Sequence, residues 1–137
     1  MDKLNNVYSA VKNVLVSDSK SDDFVFNTKH SFEQRKIMAI HIINKYPDRL
    51  PVIVEKILGS DIQDIDKNKY LVPNDLTIGQ FIFVIRKRIN LREEQGIFLS
   101  INNTLPPISA LFSQIYKEHV DPCGFLYIKY SSESTFG

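Results

Sequence analysis

The sequence predicts an α+β domain in which one sheet packs on one long helix. Three observations carry that expectation. A β-branched run and a shorter run of strand character precede the most regular amphipathic helix of the chain, and an apolar run of strand character comes near the end. A length of 137 residues with 43% apolar content suits one domain with a single packed core.

Residues 1 to 22 read as an appendage. Leu4, Val7, Tyr8, Val11, Val14 and Leu15 recur at spacings of three and four, so they share one face of a short amphipathic helix. The polar stretch Ser17 to Asp23 (SDSKSDD) then reads as a linker. Ser31 and Gln34 stand in the order of a capping box, which starts a helix running to Lys45 before Tyr46 and Pro47 turn the chain. Phe32, Ala39, Ile42, Ile43 and Tyr46 gather on one side of it, yet Ile37, Met38 and Ile40 lie off that stripe. This helix is apolar on too many sides for a simple surface helix.

Pro51 to Ile57 (PVIVEKI) reads as a strand, and Lys69 to Val72 as a shorter one closed by Pro73. A proline deletes a ladder hydrogen bond, so Pro73 points to an edge strand. Thr77 caps a helix with Ile78, Phe81, Ile82, Ile85 and Ile89 on one stripe, and Arg86, Lys87 and Arg88 suit its carboxyl end. Gly96 to Ile101 is expected as a strand, Ser109 as the cap of a helix to about His119, and Gly124 to Tyr130 as the last strand. Asp121 to Gly124 (DPCG) has the residue order of a type I turn. A β-grasp arrangement matches this order of elements, and other α+β topologies also satisfy it.

Composition excludes more than it selects. Seventeen Lys and Arg against sixteen Asp and Glu leave no global field to attract nucleic acid or an anionic membrane. The lone Cys123 forbids an internal disulfide and fits a reducing, cytoplasmic setting. His30, His41 and His119 lack metal-ligand spacing, Cys123 has no sequence partner that would activate it, and the five glycines form no phosphate cradle. No catalytic set, metal or cofactor is expected. Glu93 and Glu94 read as a solvated pair rather than an acid and base.

Several longer strings are more specific: KYLVPNDLTIGQFIFVIRKRI from Lys69, NNTLPP from Asn102, YKEH from Tyr116, and the final GFLYIKYSSESTFG. They resemble the autophagy-related ubiquitin-like modifiers, the family that includes GABARAP, and the likeness runs from about Phe26 to Gly137. The resemblance implies a ubiquitin-like β-grasp domain over 23 to 137, preceded by two short helices, here Asp23 to Asn27 and Ser31 to Lys45. It also implies attachment of Gly137 to phosphatidylethanolamine by separate activating and conjugating enzymes, with a cysteine protease for processing and release. Glycine suits that role, since an extended tail without a Cβ enters a narrow active site. Such a protein is expected in the cytoplasm and, once lipidated, on the autophagosome membrane.

The resemblance further implies a groove for short aromatic-x-x-aliphatic motifs of cargo receptors, bound by strand addition. Matching positions assign an aromatic pocket to Ile42, Pro51, Ile53, Lys69, Leu71 and Phe125. They assign an aliphatic pocket to Tyr70, Val72, Pro73, Leu76, Phe81 and Val84, with Lys67 and Arg88 for acidic flanks of the peptide. Read from the residues alone, Phe81 and Val84 are equally well explained as core. Replacing Leu71 and Tyr70 together by alanine is expected to abolish peptide binding with the fold intact. The apolar Ile37, Met38 and Ile40 depart from the charged helix of relatives, and the amino-terminal segment is a candidate cover for them. An unconjugated peptide-binding scaffold of the same fold is the alternative.

Overall fold

The structure, a computed structural model, describes residues 24 to 133. The amino-terminal appendage, its linker and the tail glycine Gly137 lie outside the described residues. Two helices come first, α1 (Val25–Lys29) and α2 (Phe32–Lys45). They are followed by β1 (Arg49–Lys56), β2 (Lys69–Pro73), α3 (Ile78–Arg88), β3 (Phe98–Ser100), α4 (Phe112–His119) and β4 (Leu126–Ser131). The strands form one sheet in the order β2-β1-β4-β3. β1 runs parallel to β4, and the two outer pairs are antiparallel.

Both long helices start where the sequence places them. Ser31 and Gln34 exchange bonds with each other's backbone, as do Thr77 and Gln80. Each box satisfies two donors that a helix start leaves orphaned. At 121 to 124 the turn closes with Gly124 N–H donating to Asp121 O at 2.8 Å. Cys123 N–H donates to the Asp121 carboxylate at 3.0 Å, and Gly124 has a φ of +102°. That left-handed backbone suits glycine.

Several boundaries differ from expectation; β1 begins at Arg49, two residues earlier than expected, and β4 at Leu126, two residues later. α4 begins at Phe112 and not after Ser109. The chain before it is held out of the helix because its backbone serves the start of α3: Ile108 and Ser109 sit in a turn closed by Ala110 N–H donating to Pro107 O at 3.1 Å, and Leu111 bridges to Thr77. The carbonyls of Ala110 and Ile108 accept from Ile78 and Gly79 N–H, and Phe112 N–H donates to Leu76 O. β3 is only three residues long, since the chain turns back immediately, with Asn102 and Asn103 at positive φ and Ile101 bridged to Thr104. The first helix covers Val25–Lys29, two residues later than implied.

The sheet is covered on both faces. Val52 and Val54 of β1 and Leu126, Ile128 and Tyr130 of β4 pack with Ile78, Phe81 and Ile85 of α3, and with Ile89 just after it, in the larger core. Ile53, Phe125 and Tyr127 project the other way, into a second core with Phe24, Phe26, Ala39 and Ile42. Alternate strand residues therefore serve different cores, which is why PVIV is apolar without a break. α2 touches both: Ala39 and Ile42 belong to the second core, while Ile40 and Ile43 pack on the margin of the first. That dual packing corrects the expected exposed face of α2. Met38 and Ile40 are half-buried, and only Ile37 of the three stands out, 65% exposed.

α1 is too short to be stable alone and is fastened by side chains. The Glu55 carboxylate accepts from Val25 N–H at 2.8 Å and Phe26 N–H at 2.9 Å. Tyr127 Oη donates to Asn27 Oδ1 at 2.7 Å, and the Phe26 ring meets Phe125 edge-on at 5.2 Å. A strand carboxylate thus satisfies orphan donors at the start of this helix.

Candidate functional site

β2 is an outer strand of the sheet, as Pro73 led one to expect. Its pairing parity follows from one contact, Val54 N–H donating to Asn68 O at 2.8 Å. Asn68, Tyr70 and Val72 turn their backbone groups toward β1, so Lys69 and Leu71 turn theirs away from the sheet. Pro51 stands opposite Leu71, where β1 owes β2 no N–H, and the β4 ladder begins only at Val52. A proline in an inner strand is tolerated there for that reason.

The side chains of β2 alternate in the same way. Tyr70 and Val72 are buried in the larger core, whereas Leu71 packs half-buried against the second core. The open backbone edge therefore runs between two apolar clusters, one bounded by α2 and one by α3.

Of the residues assigned to the aromatic pocket, Ile42, Ile53, Leu71 and Phe125 come together in the second core. Ile53 and Phe125 are fully buried and form a floor, Pro51 is buried opposite Leu71, and Lys69 is exposed at the strand's start. Of the aliphatic set, Tyr70, Val72 and Phe81 lie in the larger core, Leu76 and Pro73 are half-buried, and Val84 is 41% exposed on α3. Phe81 is enclosed between Tyr70, 5.6 Å away between ring centroids, and Phe112 at 5.0 Å. Core packing is thus the structural role of Val72 and Phe81.

The cationic residues are not both open. Arg88, expected to be available for an acidic peptide flank, is already paired: its Nε donates to Asp66 Oδ1 at 2.9 Å. The guanidinium holds the Asp66 carboxyl below the usual carboxylate range, chiefly through that hydrogen bond. Lys67 Nζ sits over the Tyr70 ring, 5.3 Å from its centroid. The Tyr70 hydroxyl is buried without a hydrogen-bond partner, and burial pushes its pKa up to about 12.

Two residues at this edge went unmarked by sequence reasoning. Arg49 Nη1 donates to Leu71 O at 3.1 Å, occupying an outward carbonyl of β2. Asp66 neutralises Arg88 across 22 positions of sequence. Neither spacing is periodic, so only the folded chain brings these pairs together.

Nothing at the edge is arranged for bond-making chemistry. Cys123 is fully buried, and burial pushes its pKa up to about 12, which keeps it a thiol. Among the described residues no group of three or more His, Cys, Asp or Glu is placed to hold a metal ion. Glu94 is paired with Arg92 at 2.8 Å in an exposed loop. Among the described residues no helix is long and apolar enough to cross a membrane.

A mixed sheet with β1 and β4 parallel at its centre, crossed by α3 and preceded by two helices, defines a protein of the ubiquitin-like class. The family profile described as "Autophagy protein Atg8 ubiquitin like" matches residues 34–137, and the chain belongs to that family. Similar curated proteins include the Autophagy-related protein 8 of Coccidioides immitis and that of Aspergillus niger. Each is 59% identical over 112 residues, spanning 82% of this chain and 96% and 95% of theirs. The crystal structure of Trypanosoma brucei ATG8 aligns with a TM-score of 0.77 at 45% identity, covering 88% of this chain and 100% of that one. The protein is an autophagy-related ubiquitin-like protein.

Proposed function

We propose that the protein is a ubiquitin-like modifier, not an enzyme, joined through Gly137 to phosphatidylethanolamine and acting as an adaptor in autophagosome formation. The domain at 23 to 137 carries this activity and residues 1 to 22 are its appendage. Activating and conjugating enzymes load the tail, a cysteine protease processes or releases it, and the protein divides between cytoplasm and autophagosome membrane. Cargo receptors dock by adding an aromatic-x-x-aliphatic strand to β2.

The observation that supports the adaptor reading is the open edge of β2. Leu71 turns its N–H and C=O away from the sheet between two apolar clusters, a layout suited to backbone bonds for affinity and flanking pockets for selectivity. Arg49 and Asp66 then act as internal placeholders, each engaging a group that an incoming peptide uses. The aromatic side chain would enter beside Leu71 over Ile53 and Phe125, with Ile42, Pro51 and Lys69 at its margin. The aliphatic one would enter beside Pro73, Leu76 and Val84, over Tyr70, Val72 and Phe81. Lys67 and Arg88 would meet the acidic flank.

The double alanine variant is a poor test, because Tyr70 is only 7% exposed and its loss damages the core. Leu71→Ala alone removes a half-buried contact and leaves the backbone edge in place. It is expected to weaken an aromatic-x-x-aliphatic peptide at least tenfold by calorimetry, and unchanged affinity overturns the groove. For attachment, the mass of the cellular protein should show a lipid-sized gain that disappears in Gly137→Ala. An unmodified mass under starvation favours the unconjugated scaffold.

A further inference from the structure

Strand β1 ends in a tight turn at the side of the domain where the tail departs. Ser60 N–H donates to Ile57 O at 3.1 Å, and Gly59 has a φ of +90°, the positive value that a type II turn requires at its third residue. Leu58 stands at the tip, 96% exposed. Beside it an open groove of ≈ 380 Å³ is lined by Val25, Val54, Leu58 and Ile65 among others, and Val25 is itself 56% exposed. A bulky aliphatic side chain held outward by its turn, next to a second exposed one, is apolar surface that the domain does not use internally.

The same turn is bonded to the base of the tail. Ser132 Oγ donates to Asp61 Oδ1 at 3.0 Å, and Ser132 N–H donates to Ser60 Oγ at 3.4 Å. Four residues follow Glu133 and end at Gly137. At full extension four residues reach about 14 Å at most. Whatever surface holds Gly137 is therefore brought within that distance of Glu133, on the side of the domain where Ser132 is bonded to the Leu58 turn through Ser60 and Asp61. The groove's own charges are Glu55, Lys56 and Asp64, with Asp61 beside Ser132 and Lys129 opposite Glu55, so the balance is slightly acidic and offers little to an anionic surface.

We propose that, when Gly137 is attached to phosphatidylethanolamine, Leu58 and Val25 rest in the interfacial layer of a zwitterionic bilayer as a second, apolar point of contact that orients the domain. This inference rests on the lipid-attachment reading above. It gives the domain a defined stance. The Leu58 turn lies at one end of β1, while Arg49, at the other end, pairs with Pro73. Seven strand steps separate Lys56 from Arg49, roughly 23 Å, so the Pro73 end of β2 faces away from the lipid.

The test uses Gly137→Cys coupled to a maleimide derivative of phosphatidylethanolamine in phosphatidylcholine vesicles, which imposes the tether without any conjugating enzyme. The buried Cys123 does not compete for the reagent. Hydrogen exchange is expected to slow several-fold at the amides of 57 to 61 on tethering. That protection should be lost in Leu58→Asp, a fully exposed position where the thermal midpoint should not change, and added phosphatidylserine should not strengthen it. Absence of protection overturns the proposal. So does protection that persists in Leu58→Asp, which marks crowding by the tether. Protection already present without vesicles and removed by deleting residues 1 to 20 also overturns it, because the chain's own appendage then fills the groove. Failure of the lipid-attachment reading is read separately, as no mass gain on wild-type Gly137.

Discussion

Tyr70→Phe is expected to stabilise this protein. Removing a tyrosine hydroxyl from a core usually costs stability because a hydrogen bond is lost, but here the Tyr70 hydroxyl is buried with no partner. Its ring stays useful, set edge-on to Phe81 at 5.6 Å within the larger core, and phenylalanine keeps that contact. A buried polar group left unsatisfied costs about 1–3 kcal/mol. Taking the lower bound, Tyr70→Phe gains about 1 kcal/mol, which raises the melting temperature by about 3–5 °C for a domain of this size. Tyr70→Ala, which removes the ring as well, should lose about 3–5 kcal/mol. Equilibrium unfolding in urea measures both, read as a shift of the midpoint at constant slope. A loss of stability in Tyr70→Phe would refute the reasoning, since it would show that the hydroxyl has a partner in solution.

Other outcomes follow from named contacts. Glu55→Ala strips both acceptors from the start of α1, and hydrogen bonds to a charged group are worth about 1.5–3 kcal/mol each. Exchange at Val25 and Phe26 should then approach the unprotected rate while the sheet amides stay protected. Asp66→Asn breaks an exposed ion pair, so stability should move by less than about 1 kcal/mol. Arg88 is then released, and a peptide with an acidic flank should bind several-fold tighter by calorimetry. Tyr70, Tyr116, Tyr127, Tyr130 and Cys123 all have pKa values raised by burial. Each holds its proton more tightly folded than unfolded, so the stability it contributes is complete below the ordinary values of 9.0 for the thiol and 10.0 for the phenols. Urea midpoints should be flat from neutral pH to about 9 and then fall steeply as pH rises through and beyond the ordinary phenol range.

Much of the fold was legible because its signals are local. The Ser31 capping box, the Thr77 cap, the stripe on α3, the Asp121 turn and the edge position of β2 rest on residues within a few positions of one another. The misread boundaries are those where a distant segment competes for the backbone. Ser109 has the chemistry of a helix cap, but the carbonyls of Ile108 and Ala110 are taken by the first donors of α3, which holds that stretch in a turn outside the helix. α2 carried an apolar surface with no visible destination, and its destinations are two: a second core on the far face of the sheet for Ala39 and Ile42, and the margin of the larger core for Ile40 and Ile43. Nothing in its periodicity distinguishes an exposed stripe from one that meets two cores.

The candidate edge divides in the same way. From the sequence alone came the strand, its proline and hence its open side, together with the matched strings that pointed to the family and to Gly137. Only the tertiary structure decided that Ile53, Val72, Phe81 and Phe125 lie beneath the surface as packing, that Arg88 is held by Asp66, and that Arg49 covers an outward carbonyl of β2. Residue pattern reports which face of an element is apolar, since that follows from a period of two or 3.6. Which atoms then meet across 22 positions of sequence depends on pairing register and on both faces of a sheet being filled. Those are properties of the assembled chain, and no local segment contains them.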